Sequence, residues 1–70
     1  MTLDNWRKRK GHSYTKLAEL LGASHATVAR RWCRPFGASD RKVPNAAYMD
    51  RIIILTEGAV TPNDFYIQRD

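Results

Sequence analysis

The sequence predicts an all-α fold: a compact domain of four to five short helices. Three observations predict it. Apolar residues recur at helical spacing, as in Tyr14, Leu17, Ala18 and Leu21 at i, i+3, i+4 and i+7. Short segments are bracketed by Ser, Thr or Asn caps on one side and Gly or Pro stops on the other. The chain has 70 residues, 43% hydrophobic and 27% charged, the mix of a globular chain of about one small domain, and no repeat or linker divides residues 1–70.

The first helix is expected over about residues 2–10. Thr2 caps it, Asp4 suits the positive end of the helix dipole, and Lys8 and Lys10 suit the negative end. Gly11 supplies the left-handed stop. Leu3 and Trp6 lie on its core face. The second is expected over about residues 14–21, capped by Ser13 and ended by Gly22. The third starts at Ser24 as N-cap and runs to about residue 34, where Pro35 stops it. Only Gly22, Ala23 and Ser24 separate the second helix from the third, and this is the layout of a helix-turn-helix. Residues 35–44 read as a loop, longer than the ~2–8 residues usual between bundled helices. A fourth helix is expected over about residues 45–56, capped by Asn45 and closed by Gly58, with Tyr48, Met49, Ile52, Ile53 and Leu55 as its apolar surface. Thr61, Pro62 and Asp64 form a capping-box pattern for a short fifth turn. Phe65, Tyr66 and Ile67 then either fold back on the fourth helix or join a dimer contact.

The same inventory excludes function classes. The longest uncharged apolar run is Ile52-Ile53-Ile54-Leu55, against ~20 residues for a membrane span. No signal segment opens the chain, so a cytoplasmic location is expected. The single cysteine, Cys33, forbids an internal disulfide, and two histidines with one cysteine do not close a four-ligand zinc site without help from carboxylates. His25 and Cys33 lie more than two turns apart on one helix and cannot meet as a catalytic dyad. No enzymatic activity, metal or cofactor is expected.

Charge is the informative feature. The net charge is +5, but residues 7–42 hold ten of the twelve basic groups against Glu19 and Asp40, for a local net of +8. Residues 43–70 carry a net −2. A basic two-thirds beside a mildly acidic end implies a polyanionic partner on one side. The Arg7-Lys8-Arg9-Lys10 run reads mainly as a solvated face.

On a helical wheel of the third segment, Val28 and Trp32 fall together as a core side. Ala26, Ala29, Arg30 and Cys33 fall roughly opposite as an outer side. Two alanines there would let the helix sit deep in a groove ~12 Å wide, and Arg30 offers its fork to guanine O6 and N7. His25 stands at the helix start, where recognition helices meet bases. Thr27 and Arg34 flank this side at phosphate distance. Across the turn, Tyr14, Thr15 and Lys16 open the second helix, whose free N–H groups favour a phosphate. Arg41 and Lys42 are placed to reach the backbone from the loop.

Residues 17–28, Leu17-Ala18-Glu19-Leu20-Leu21-Gly22-Ala23-Ser24-His25-Ala26-Thr27-Val28, resemble the helix-turn-helix of the lambda-repressor-like family, which includes phage Cro proteins and xenobiotic-response-element-type regulators. Residues 44–49 and 56–65 are similar to the closing segment of its small phage-type members. The resemblance implies a cytoplasmic DNA-binding transcriptional regulator, a phage- or prophage-type repressor, often dimeric on a two-fold double-stranded DNA operator. It implies base contacts from His25, Ala26, Ala29 and Arg30 and phosphate contacts from Tyr14, Thr15 and Lys16; the residue-level reading adds Ser24, Thr27, Arg31 and Arg34 as phosphate contacts. Family members carry an apolar residue nine after the turn glycine. Arg31 stands there, with Trp32 one later. Either the third helix is rotated, or Arg31 buries its stem and extends its head to a phosphate. The alternative to DNA binding is a protein-interaction module, an antitoxin or anti-repressor on the same scaffold, anchored by Phe36 or by Phe65–Ile67.

Overall fold

The computed structural model describes residues 1–66. They form α1 (Leu3–Lys10), α2 (Tyr14–Leu21), α3 (Ala26–Trp32), α4 (Ala46–Leu55) and α5 (Asn63–Tyr66), with no strand among the described residues. No helix among the described residues is long and apolar enough to cross a membrane.

Three helices begin as their caps dictate. The Thr2 hydroxyl accepts the Asn5 N–H at 3.1 Å, the Ser13 hydroxyl accepts the Lys16 N–H at 3.0 Å, and the Asn45 side chain accepts the Tyr48 N–H at 3.0 Å. Each bond satisfies one of the donors that a helix start leaves without an intrahelical acceptor. α3 departs from expectation. Its N-cap is His25, extended at φ −142° and ψ 148° and making no side-chain cap bond, rather than Ser24. The cause lies in how α2 ends. Gly22 N–H bonds the Glu19 carbonyl, and Ala23 N–H bonds the Ala18 carbonyl, the paired closure of a Schellman motif. That closure occupies Gly22 and Ala23, so the chain needs two further residues before helical geometry resumes. α3 also stops early, with Cys33 as its C-cap.

Gly22 is set by two constraints. Its φ of 72° is the left-handed region that favours glycine. A Cβ there would also stand 2.8 Å from Nη1 of Arg51, which donates to the Leu21 carbonyl at 3.0 Å. Arg51 thus places a cation on the negative end of α2 and ties α4 to it.

The core collects the apolar face of every helix. Leu3 and Trp6 of α1, Leu17, Ala18 and Leu21 of α2, and Met49 and Ile52 of α4 are buried together. α2 makes its broadest contact with α3 and its next with α4. Past α4, the Thr56 hydroxyl donates to the Ile52 carbonyl at 2.8 Å and accepts the Val60 N–H at 3.2 Å. This relay bends the chain back so that Val60 lies fully inside.

Half of the expected capping box forms: the acid reaches back to the Thr61 N–H, but the Thr61 hydroxyl donates to it instead of accepting an N–H of the helix. Thr61 donates its N–H and hydroxyl to Oδ2 of Asp64, while the Asp64 N–H donates to the Thr61 carbonyl. The Met1 ammonium lies 3.3 Å from the same Oδ2 and donates to the Ala59 carbonyl at 3.2 Å. Phe65 folds back into the core and Tyr66 is exposed, whereas Ile67 lies outside the described residues.

Burial pushes the Asp64 carboxyl up, but the Thr61 donors and the Met1 ammonium outweigh it and hold the group below its ordinary value. An unfolded Asp titrates at ~3.9. With the folded value lower, Asp64 contributes fully above about pH 4 and its contribution is lost as pH falls through the folded value. Thermal unfolding followed from pH 2.5 to 6 is expected to lose part of its acid-side slope in Asp64→Asn. A second comparison isolates Arg51. Gly11 has φ of 71° and nothing near an added Cβ. Gly11→Ala is expected to cost about 1–2 kcal/mol from backbone strain alone, and Gly22→Ala more than that, by denaturant unfolding.

Candidate nucleic-acid interface

The rotation of α3 follows from its largest residue. Trp32 is 5% exposed and packs against Tyr48, ring centroids 4.9 Å apart. Ala29 is 0% exposed and Cys33 is buried beside it. Val28 is only half-buried at the margin of the core. The inward side is therefore Ala29, Trp32 and Cys33, not Val28 and Trp32 alone. Two residues assigned to the outer side, Ala29 and Cys33, are inside. Ala29 has no surface with which to meet a base edge. Small side chains read as room for a groove are room for the packing of α3 on the core. Burial pushes the Cys33 thiol up to about 12, so it stays protonated.

The outward side follows directly. Ser24 and His25 are exposed just before α3, Ala26 is half-buried, and Thr27, Arg30 and Arg31 are exposed along it. Arg34 follows one residue past the C-cap and is partly exposed. Arg31 points away from the core and Trp32 into it, so of the two alternatives for Arg31 the structure has the rotated helix.

The start of α2 presents Thr15 and Lys16 to solvent. The Lys16 N–H goes to the Ser13 hydroxyl and the Leu17 N–H to the Ser13 carbonyl, which leaves the Tyr14 and Thr15 N–H groups outside the helical ladder. Tyr14 itself is half-buried, with the Arg7 guanidinium 4.2 Å above its ring. Arg7 also donates to Asp4 through Nε and Nη2 and to the His12 carbonyl through Nη1. The basic run of α1 thus divides. Arg7 is a strut between α1 and α2, while Lys8, Arg9 and Lys10 face solvent.

The long connection after α3 is pinned, not free. Arg41 Nε donates to the Arg34 carbonyl at 3.2 Å, Nη2 to the Phe65 carbonyl at 2.9 Å, and the guanidinium covers the Phe36 ring at 4.2 Å. Arg41 is therefore committed within the fold, contrary to its expected reach to a phosphate. Of the anchors expected for a protein-docking module, Phe36 is half-buried and Phe65 is in the core, while Tyr66 is exposed and Ile67 lies outside the described residues. The Lys42 N–H donates to the Arg31 carbonyl at 3.1 Å, while its side chain remains exposed.

Sequence reasoning missed the acid on this side. Asp40 accepts Arg34 Nε at 3.0 Å, and its other oxygen lies 3.6 Å from Nη1 of Arg30. The bond from Arg34, foremost, holds the Asp40 carboxyl below its ordinary value. No periodicity links a loop residue to a helix, so only the spatial arrangement reveals the triad. The Asp4–Arg7 pair at i, i+3 was readable from spacing. Lys16 and Arg31, by contrast, make no ion pair among the described residues.

Comparison with protein-family models, with characterised proteins and with solved structures returns no significant match. Inferences about the site therefore rest on its own chemistry: exposed guanidinium, ammonium, hydroxyl and imidazole groups on and beside one short helix, backed by a packed core.

The inward position of Ala29 has a direct check. Ala29→Leu adds volume to a closed core and is expected to cost about 1–3 kcal/mol in denaturant unfolding, where a solvent-facing alanine would tolerate leucine within ~0.5 kcal/mol.

Proposed function

We propose that this chain is a sequence-specific double-stranded-DNA-binding regulator of the helix-turn-helix type, with α3 as its recognition helix. The observation that carries the reading is the two-sidedness of α3. One side is sealed in the core by Ala29 and Trp32, and the other offers Thr27, Arg30 and Arg31 to solvent. An α-helix with its side chains is about 10–12 Å across. With its back buried and its front polar, α3 fits a major groove ~12 Å wide.

The exposed donors assign roles. Thr27, Arg30 and Arg31 face base edges, with His25 ahead of them at the helix start. Arginine matches guanine O6 and N7 through its planar fork. Lys16 and Arg34 neutralise phosphates on either side, with the unladdered N–H groups of Tyr14 and Thr15 beside Lys16. Rotation of α3 moves Arg31 and Thr27 from the phosphate role to the base-facing one and removes Ala29 from it. The local net of +8 over residues 7–42 supplies long-range attraction to a polyanion. The resemblance of residues 17–28 to the lambda-repressor-like helix-turn-helix points the same way, and a repressor acting as a homodimer on a two-fold operator is the form that resemblance favours.

The test is selection from randomised duplex DNA followed by salt titration of the winning site. Binding is expected to weaken with a log–log slope of about 0.9 per neutralised phosphate. Lys16→Ala is expected to weaken all duplexes alike and to reduce the slope by about one. Arg31→Ala is expected to relax preference at one position of the site, by ~1–3 kcal/mol. A chain that selects no site and shows no salt slope is not a DNA-binding protein.

A further inference from the structure

The triad of Asp40, Arg30 and Arg34 calls for explanation. A surface meant for a polyanion gains from every cation and loses from every anion, yet a carboxylate is held against two of its arginines. Arg34 Nε lies 3.0 Å from Oδ1 of Asp40, and Arg30 Nη1 lies 3.6 Å from Oδ2. Arg30 lies in the last turn of α3 and Arg34 one residue past its C-cap, and Asp40 is within reach of both.

Nor has a mobile loop brought the acid there by chance. Asp40 sits inside a turn closed by the bond from Arg41 N–H to the Ala38 carbonyl at 3.2 Å. Just beyond it, the Arg41 guanidinium binds the carbonyls of Arg34 and Phe65 and covers Phe36. Next in line, the Lys42 N–H binds the Arg31 carbonyl. Successive residues after Asp40 are thus tied to the C-terminal end of α3, and they deliver the carboxylate to a fixed place. An isolated exposed ion pair holds its partners weakly. Fixed by its own backbone, the carboxylate hydrogen-bonds Arg34 and draws Arg30, 3.6 Å away, by charge.

We propose that Asp40 is a positioning residue for base reading: it fixes the Arg30 guanidinium so that its free edge meets one base pair, at the cost of some attraction to DNA in general. The proposal rests on the DNA-binding reading above. Arginine is a long chain with several rotatable bonds, and ordering it on binding is an expense that a pre-set side chain has already met. Arg34, bonded through Nε, keeps both terminal nitrogens for a phosphate. Asp40 does not touch DNA in this scheme; it acts through Arg30.

The experiment compares the wild-type chain, Asp40→Asn and Asp40→Ala in binding to the selected duplex and to random duplex. Asn keeps an acceptor for Arg34 Nε and removes the charge; Ala removes both. For Asp40→Asn, random-duplex affinity is expected to rise about two- to fivefold, since one negative charge beside the interface is gone. The ratio of selected to random affinity is expected to fall about tenfold, with the loss concentrated at the base position that Arg30→Ala also relaxes. In an Arg30→Ala background, Asp40→Asn is expected to leave the ratio unchanged, because the group it positions is absent. A merely structural role predicts something different: both affinities fall together in Asp40→Ala and the ratio holds. That result, or an unchanged ratio in Asp40→Asn, overturns the proposal while leaving the DNA reading intact. A wild-type chain that selects no sequence overturns both.

Discussion

Trp32 is the constraint on which the arrangement of this small fold depends. An indole buries roughly 150–250 Å², and at ~25 cal/mol/Å² its burial contributes about 4–6 kcal/mol as an upper estimate. Turning Arg31 inward instead would take a guanidinium out of water, at several kcal/mol without a partner. The two residues are adjacent, and the helix is turned so that the apolar one is inside and the cation outside. The tryptophan wins by a wide margin. Its insertion carries Ala29 and Cys33 in with it and turns Thr27, Arg30 and Arg31 outward. The chemistry offered to solvent is thus a consequence of core packing one residue away.

The turn before α3 serves the same constraint from the other side. Gly22 and Ala23 close α2 by bonding back to Glu19 and Ala18, and Arg51 of α4 covers the Leu21 carbonyl. The carbonyl end of α2 is thereby satisfied before α3 begins. Two connected short helices have little intrinsic stability, because helices under ~12–15 residues are marginal alone. Their stability comes from shared packing, and so a bond from α4 to the turn between them matters more than its own modest energy. It joins three elements at one carbonyl.

Much of this was legible in the chain. The caps at Thr2, Ser13 and Asn45 and the stop at Gly22 depend on residues three to five apart, and each formed as its local chemistry requires, as did the reach of Asp64 back to Thr61. The all-helical class followed from the same short-range signals. Rotation of α3 did not, since Ala29 and Cys33 are small enough to suit either side and only the competition between Trp32 and Arg31 decides it. Ser24 was misread as a cap because its residue type is right and its place is not: the closure of α2 used the residues before it. Arg41, Arg51 and Asp40 were illegible for another reason. Their partners lie six to thirty positions away, as with Asp40 and Arg34 or Arg51 and Leu21, and no periodicity records such distances.

These arginines also correct what net charge conveys. The chain's basic excess suggests one broad attractive surface, but its cations divide by task. Arg7 braces α1 against α2, Arg41 fastens the long loop, and Arg51 seals the end of α2. Each is bound to backbone carbonyls of a neighbouring segment, which a planar five-donor guanidinium suits better than an ammonium. In a domain of 70 residues, with little core to spare, such struts substitute for apolar burial. The other solvent-facing cations among the described residues stand apart from these struts: Lys8, Arg9 and Lys10 on α1, Lys16 at the start of α2, Arg30 and Arg31 on α3, and Arg34 and Lys42 just beyond it. Discrimination between partners depends on where those charges stand, more than on the excess itself, because a uniform positive surface attracts every polyanion alike.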